Sequence, residues 1–194
     1  MKRFAKFIKA TVTDDVTETT THLVVDSTKE LICGVTSKYL KAISRKVWIV
    51  SILWILACVK SSRLLDPAAF EVVGDGIFGR HGGPKLGRLR ARGLFEDYEF
   101  LFIGKFEQES INLDEMKKLS KLNGAHIVQK AKNFSEDKIR TVLFDEKLQK
   151  ISVANANFML TSARIFSVTT SWLLDSLACY AIRDMKTYAL YKED

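Results

Sequence analysis

The sequence predicts an α/β chain built from two copies of one unit, each a small parallel sheet flanked by helices. Two apolar stretches, residues 50–70 and 168–188, run to the same plan, and the second lies 118 positions after the first. Two β-branched runs that end in Asp, HLVVD at residues 22–26 and TVLFD at 141–145, stand in nearly the same relation. Because strand-like and helix-like segments alternate within each copy, we expect parallel strands covered by helices.

The first copy is expected to begin with a helix over residues 2–9 (KRFAKFIK) and a second strand over 10–13 (ATVT). The run HLVVD then supplies the third strand, and VWIV at residues 47–50 supplies the fourth. Ser51 caps the apolar helix that follows. No sequence is left ahead of the first helix for a first strand. We therefore expect this copy to lack it, as a fragment, a truncated product or a unit that has lost that part.

The second copy contains sequence for all four strands and their helices. Its helix LDEMKKLSKLNGA, residues 113–125, carries a stop signal at Gly124, and Thr169 caps its apolar helix. Its strands are predicted at residues 99–106, 126–129, 141–145 and 166–168. A Gly-, Pro- and Arg-rich joint gives repeats at residues 1–73 and 94–194, with a basic linker at 74–93 between them.

The apolar helices are predicted to be core helices and not membrane spans. The apolar run covers only residues 47–59, shorter than the roughly 18–20 residues that a membrane helix requires. Trp54 and Trp172 stand at matching positions, and we expect both to pack in the cores of their units. The N-terminal residues alternate charged and apolar side chains, unlike a signal peptide.

The cysteines and histidines show no pattern of a metal or catalytic site. The three cysteines lie among apolar neighbours without CxxC spacing, and we interpret them as reduced core thiols of an intracellular protein. The three histidines have no Cys or carboxylate at ligand spacing, so neither a metal nor another cofactor is expected. No nucleophile elbow, P-loop or Cys-His pair is visible, and the chain is not predicted to be an enzyme.

The formal net charge of +7 is most concentrated in residues 79–92, GRHGGPKLGRLRAR, which contain five cations and no acid. These cations are Arg80, Lys85, Arg88, Arg90 and Arg92. One interpretation of the segment is a solvated linker. The other is an electrostatic contact with the phosphates of nucleic acid or of a nucleosome.

Three features together resemble the BRCT family over nearly the whole chain. They are TTHLVV at the predicted third strand, a W-(I/L)-(L/V)-x-(C/S) helix near the end of each copy, and the tandem arrangement itself. The resemblance implies two BRCT repeats, each a parallel four-stranded sheet flanked by helices, with the first repeat lacking its first strand. It also implies a phosphopeptide-binding module that is not an enzyme.

The resemblance places a phosphate-binding site at Thr36, Ser37 and Lys38, which match the family's T-x-K motif at a helix start. A helix start independently favours an anion, because its backbone N–H groups are free and its dipole is positive there. Taken alone, the same three residues also fit an ordinary helix cap beside a solvated lysine. The family pattern is incomplete here, since no Ser-Gly precedes the first helix and Val35 replaces a peptide-holding arginine.

A groove between the repeats, which accepts an aromatic side chain of the peptide, is the second site that the resemblance implies. It assigns this groove to Leu40, Glu109 and Leu174, with Glu109 in the place of a methionine and Thr170 in the place of an arginine. Leu40 and Leu174 keep the apolar character of the groove. A carboxylate at Glu109 disfavours burial of a phenylalanine ring.

The resemblance thus predicts a phosphoprotein-binding adaptor of the nuclear DNA-damage response and DNA repair, with phosphorylated nuclear proteins as partners. It implies a ubiquitin-ligase complex whose RING domain, and the RING-domain heterodimer contact, lie outside this chain. The alternative is a BRCT module that binds nucleosomes or nucleic acid through the basic linker, without phosphopeptide specificity. Neither hypothesis involves a membrane.

Overall fold

The computed structural model describes residues 2–106, 111–145 and 153–190, and the chain divides into two compact units. The first unit comprises Met1–Arg90 and Ala178–Tyr180, and the second comprises Ala91–Leu177 and Ala181–Asp194. Each unit combines parallel strands with helices, which confirms the predicted α/β class. Among the described residues, no helix has both the length and the apolar character needed to cross a membrane.

The described part of the first unit alternates short strands and helices. Its helices are α1 (Lys2–Phe7), α2 (Ser37–Ser44), α3 (Ile52–Ser61) and α4 (Gly83–Leu89). Its strands are β1 (His22–Val25), β2 (Ile32–Cys33), β3 (Trp48–Ser51) and β4 (Gly74–Asp75). β1 pairs in parallel with β3, and β2 pairs in parallel with β4. β4 and α4 lie inside the segment predicted as a linker, which therefore contains regular structure.

The strand predicted at residues 10–13 is wrong, because these residues have no regular secondary structure. A strand needs a neighbour to satisfy its backbone N–H and C=O groups. Among the described strands, β1 has one partner only, β3, so no first strand is available for residues 10–13 to pair with. The helix predicted just before them is present as α1 and ends at Phe7.

Trp54 on α3 is a core residue of the first unit, as predicted. Ser51 caps the helix by accepting a hydrogen bond from the Leu53 N–H at 3.1 Å. The Trp54 side chain is 4% exposed, and its Nε1 donates to the Leu65 carbonyl at 2.9 Å. The buried cluster around it consists of Phe4, Val50, Ile55 and Cys58. The tryptophan therefore packs against the sheet and α1 and bonds the turn after its own helix.

The described part of the second unit is a four-stranded parallel sheet with three helices. The strands are β5 (Tyr98–Ile103), β6 (His126–Ile127), β7 (Ile139–Phe144) and β8 (Ile165–Thr169). The helices are α5 (Leu113–Leu122), α6 (Val153–Ala163) and α7 (Thr170–Cys179). The strand order is β6-β5-β7-β8, which places β5 in the centre with neighbours on both edges.

Equivalent side-chain contacts and the same strand register occur within each unit, which confirms the internal repeat. Trp172 is fully buried, and its Nε1 donates to the Arg183 carbonyl at 2.9 Å. Each tryptophan thus bonds a carbonyl 11 residues further along the chain. The β1–β3 pair and the β7–β8 pair have the same register, since Leu23 faces Ile49 where Val142 faces Ser167.

Candidate phosphate-binding site

The predicted site lies at the N-terminus of α2. Thr36 is the N-cap, with extended backbone angles (φ −131°, ψ 166°), and its Oγ1 accepts a hydrogen bond from the Tyr39 N–H at 3.2 Å. The first N–H groups of a helix have no partner within the helix. The cap satisfies that of Tyr39, and those of Ser37 and Lys38 make no bond in the described part of the chain. Two donors therefore remain for a ligand.

The charges around this helix start favour an anion. The first turn of α2 contains no acidic residue, and the Lys38 side chain is exposed. The nearby Lys41 is already used, because its Nζ donates to Asp15 Oδ2 at 2.8 Å. That hydrogen bond lowers the pKa of Asp15, and the more distant charge of Lys38 contributes a smaller effect in the same direction. Lys38 is thus a cation beside the free end of a helix dipole.

The helix that carries the site is firmly anchored. Its buried residues are Tyr39, Leu40, Ala42, Ile43 and Ser44. Thr36 and Lys38 face solvent while the opposite side of the helix packs in the core. A binding group on a rigid element is held in place without the loss of backbone entropy that a flexible loop would incur.

The structure describes two of the three residues predicted for the groove between repeats. Leu40 lies in α2 and is 1% exposed, so it is a core residue of its unit. Leu174 lies in α7 and is half-buried. Glu109 falls within residues 107–110, outside the described residues. The groove itself stays a prediction.

The five cations of the basic segment are not equivalent. Arg88 donates two hydrogen bonds of 2.9 Å to the Glu71 carboxylate and lies 3.4 Å above the Trp48 ring. Arg92 pairs with Glu96 at 2.6 Å, and an Nη of Arg80 donates to the Glu30 carbonyl at 3.1 Å. The other two cations, Lys85 and Arg90, are exposed in α4 and at its C-cap. The segment is therefore partly structural.

Sequence reasoning missed a cluster of possible metal ligands. Asp75, His81 and Cys179 bring one ligand atom each within 4.8 Å of the others. Asp75 is fully buried, and its Oδ1 accepts from the backbone N–H groups of Ile77 at 2.7 Å and Phe78 at 2.9 Å. Its Oδ2 lies 2.8 Å from His81 Nε2. These bonds explain Asp75 and His81 as parts of the turn that leads into α4. Cys179 lies far from the other two residues in the sequence, so the three do not form a recognisable metal-ligand motif.

All three cysteines are buried, as predicted, and none of them forms a disulfide bond in the structure. Burial, with a smaller effect of the Asp75 charge, raises the pKa of the Cys33 thiol to about 11. Cys33 therefore stays protonated at neutral pH, and a protonated thiol is neither a nucleophile nor a metal ligand.

Comparisons with known proteins agree with this fold. The profile of the BRCA1 C Terminus (BRCT) domain matches residues 1–59. The chain is 31% identical over 192 residues to the breast cancer type 1 susceptibility protein homolog of Mus musculus, covering 97% of this chain and 10% of that protein. It is 33% identical over 110 residues to the BRCA1-associated RING domain protein 1 of Arabidopsis thaliana, covering 55% of this chain and 15% of that protein. The chain thus spans about a tenth of the length of the mammalian relatives that it matches.

Solved structures share the tandem architecture. The BRCT5-BRCT6 domains of S. pombe Brc1 superpose with a TM-score of 0.67 at 19% identity, over 93% of this chain and 87% of that one. Rtt107p, in a complex with a phosphorylated histone, superposes with a TM-score of 0.64 at 14% identity, over 100% and 86% of the two chains. The chain is a pair of tandem BRCT repeats that resembles those of the breast cancer type 1 susceptibility protein and its RING-domain partner.

Proposed function

We propose that this chain is a phosphopeptide-binding adaptor module of DNA repair, which holds phosphoserine at the N-terminus of α2. One observation carries the proposal. The capped helix start of Thr36 presents two unbonded N–H groups and the ammonium of Lys38, with no acid in the first turn. The relatives named for breast cancer susceptibility, and the Rtt107p complex with a phosphorylated histone, support the same class of function.

The chemistry of the site suits a phosphate dianion. Phosphoserine carries a charge of about −1.5 to −2 at neutral pH and offers three strong acceptor oxygens. The N–H groups of Ser37 and Lys38 can donate to those oxygens, and the Thr36 hydroxyl can donate while its lone pair holds the Tyr39 N–H. Lys38 adds a charge-assisted bond, which is roughly twice as strong as a neutral one. A neutral serine makes none of the charged contacts.

We also propose the partners and the cellular location of this module. Phosphorylated nuclear proteins are the expected partners, and the nucleus is the expected location. Any ubiquitin-ligase activity would belong to a RING domain outside this chain, and contact with a RING-domain partner would use those outside regions too. Glu109 and Leu174 remain proposed contacts for peptide side chains beyond the phosphate, whereas Leu40, at 1% exposure, would lie beneath the surface of that groove. We propose no catalytic activity for this chain.

The test is a binding titration with a pooled phosphoserine peptide library and its unphosphorylated counterpart. We expect the wild-type chain to retain phosphorylated peptides selectively. Lys38→Met should weaken the best of them by about 1.5–3 kcal/mol, roughly ten- to a hundredfold in Kd. Lys60→Met is the matched control, because Lys60 is an exposed lysine in the last turn of α3 and should leave binding unchanged. Equal binding of the two libraries by the wild-type chain would reject the proposal.

A second candidate function is binding of nucleosomes or nucleic acid through the basic segment. The exposed cations Lys85 and Arg90 and the net charge of +7 favour it. Such binding would fall steeply with salt and would not require phosphoserine. Lys85→Ala combined with Arg90→Ala should abolish it and leave phosphopeptide binding intact, so the two candidates can be separated in one set of proteins.

A further inference from the structure

Helix α4 buries its smallest residues and exposes its leucines. Its buried residues are Gly83, Pro84 and Gly87. Leu86 and Leu89 are 48% and 62% exposed, although a surface helix ordinarily turns such side chains toward the core. Exposed apolar side chains that adjoin one another mark interaction surfaces more often than single ones do. The packing of the first unit therefore leaves these two leucines unexplained.

Close approach of neighbouring elements explains why the glycines of α4 face inward. A Cβ atom at Gly87 would lie 2.7 Å from Cγ1 of Ile43 in α2, and one at Gly83 would lie 2.4 Å from the Ala178 carbonyl oxygen. Neither position has room for a larger side chain. Because the two glycines are four positions apart, they share one face of α4, and the leucines project from the other side. The way the helix is held therefore fixes the exposure of the leucines.

Two cations flank the exposed leucines. Lys85 stands four positions before Leu89, and Arg90 stands four positions after Leu86, so each cation is a neighbour of a leucine on the helix surface. Both cations are exposed. The Arg90 guanidinium lies 5.8 Å from the centroid of the Tyr180 ring, which orients its charge without neutralising it. We call Lys85, Leu86, Leu89 and Arg90 the α4 patch, and residues 79–92 around it contain no acid.

The composition of the α4 patch selects the chemistry of its partner. Cations attract acidic groups, whereas exposed leucines gain free energy only against an apolar surface. A nucleic-acid backbone supplies phosphates and would leave the leucines without an apolar contact. A second copy of this chain would bring a patch of the same positive charge and would be repelled. A polypeptide helix that carries acidic and apolar side chains meets both requirements.

We propose that the α4 patch binds an acidic amphipathic helix of another protein. Apolar side chains of that helix contact Leu86 and Leu89, and its carboxylates pair with Lys85 and Arg90. This assigns a polypeptide ligand to the exposed cations of the basic segment, in place of nucleic acid. The phosphate site lies on α2 and binds its ligand whether or not the α4 patch is occupied, so the two proposals stand or fall separately.

The probe is the synthetic peptide EELLEALEELLEALEE, whose glutamates and leucines occupy separate faces of a helix. One control peptide has glutamine in place of every leucine, and the other has lysine in place of every glutamate. Fluorescence anisotropy of each labelled peptide is measured against the full chain at physiological salt. We expect the acidic peptide to bind with saturation. Each control should bind at least about tenfold more weakly, because it lacks one of the two groups that the α4 patch recognises.

A pair of substitutions locates the binding on α4. Leu86→Ser with Leu89→Ser should weaken the acidic peptide at least about tenfold. Leu56→Ser with Val59→Ser is the matched control, because these α3 side chains are 58% and 60% exposed and have the same spacing. The control should bind the peptide as the wild type does. Thermal unfolding of both variants separates a loss of binding from a loss of fold, and the three peptides on the wild-type chain decide the question should a variant unfold.

A second pair separates a polypeptide partner from nucleic acid. Lys85→Ala with Arg90→Ala removes the charge that attracts either ligand and should weaken both. Leu86→Ser with Leu89→Ser should weaken the acidic peptide and leave binding of duplex DNA unchanged. The leucine variant therefore distinguishes failure of this proposal from failure of the nucleic-acid candidate.

Three outcomes would overturn the proposal. The first is no saturable binding of the acidic peptide up to about 1 mM protein, a concentration that would populate even a weak complex. The second is equal binding by the glutamine peptide, or undiminished binding by the α4 leucine variant, which would indicate charge attraction alone. The third is an equal loss of binding in the α3 control, which would indicate apolar adsorption at no defined place.

Discussion

Arg88 and Arg92 stand four positions apart in the basic segment and have opposite surroundings. The side chains of Arg88 and its partner Glu71 are 16% and 7% exposed, and two parallel hydrogen bonds join them. Arg88 also stacks on Trp48, which adds a cation–π contact. The Arg92 pair with Glu96 is on the surface, where solvent screens it.

Arg88→Ala should destabilise the chain by about 3–5 kcal/mol, because it leaves the Glu71 carboxylate buried without a partner. Arg92→Ala should leave the free energy of unfolding almost unchanged. Urea denaturation of both variants beside the wild type measures the difference. Similar losses in the two variants would show that the burial of Glu71 does not govern the effect.

His22 is the titratable group whose surroundings give the clearest pH dependence. Its ring stacks on Trp48 with centroids 6.4 Å apart and on Trp54 with centroids 5.1 Å apart, nearly parallel to both. Burial between these rings lowers the pKa of His22 below its usual value of 6.5. The folded state therefore prefers the neutral imidazole.

The sign of the effect on stability follows from that preference. Below the usual histidine pKa the unfolded chain takes up a proton that folded His22 resists, so stability is lost as pH falls from about 6.5 through the lowered value. Denaturation between about pH 7.5 and about pH 5, a range that brackets the usual histidine pKa, should show this loss in the wild type. His22→Phe, which keeps the stacking, should show a smaller loss. Parallel curves for the two proteins would contradict the assignment.

At the scale of elements, the N-cap residue of α2 has two roles. It stabilises the helix, and it is part of the candidate phosphate site. Thr36→Ala removes the acceptor of the Tyr39 N–H and should cost about 1 kcal/mol of stability, with weaker phosphopeptide binding as well. Thr36→Ser keeps a hydroxyl and should retain both properties. Thermal unfolding and peptide titration on the same two variants check this. Full binding by a destabilised Thr36→Ala chain would remove Thr36 from the site and leave it a cap only.

Local signals made most of the elements predictable. Ser51 and Trp54 identify α3 and its burial from a short stretch, because a cap and an apolar face are properties of consecutive residues. The strand expected at residues 10–13 has suitable local sequence and fails, since strand pairing depends on a partner elsewhere in the chain. A helix carries its own hydrogen bonds, which is why α1 forms and that strand does not.

The same distinction between local and distant residues applies to the candidate site. Thr36, Ser37 and Lys38 are contiguous, so their place at a helix start can be predicted from the sequence alone. The ion pair of Arg88 with Glu71 joins residues 17 positions apart across a turn and a helix, so composition alone suggested five equivalent cations.

At the scale of the whole molecule, a basic chain can attract phosphate in two ways. A net charge of +7 raises affinity for any polyanion, and this effect is strongly screened by salt. A helix start with a nearby lysine instead forms directed hydrogen bonds to one phosphate group. Phosphopeptide binding should therefore decline gently between low and physiological salt, whereas binding through the basic segment should fall by orders of magnitude.

The most direct test of the phosphate site is a residue-resolved NMR titration of the full chain with one phosphoserine peptide and its unphosphorylated twin. At physiological salt we expect the phosphorylated peptide to shift the backbone amides of Ser37 and Lys38 most strongly, with saturation, and the twin to shift neither. Lys38→Met should reduce the effect while the rest of the spectrum stays folded. Shifts centred on residues 80–92, the same for both peptides and removed by added salt, would contradict the central claim that α2 is a specific phosphate site.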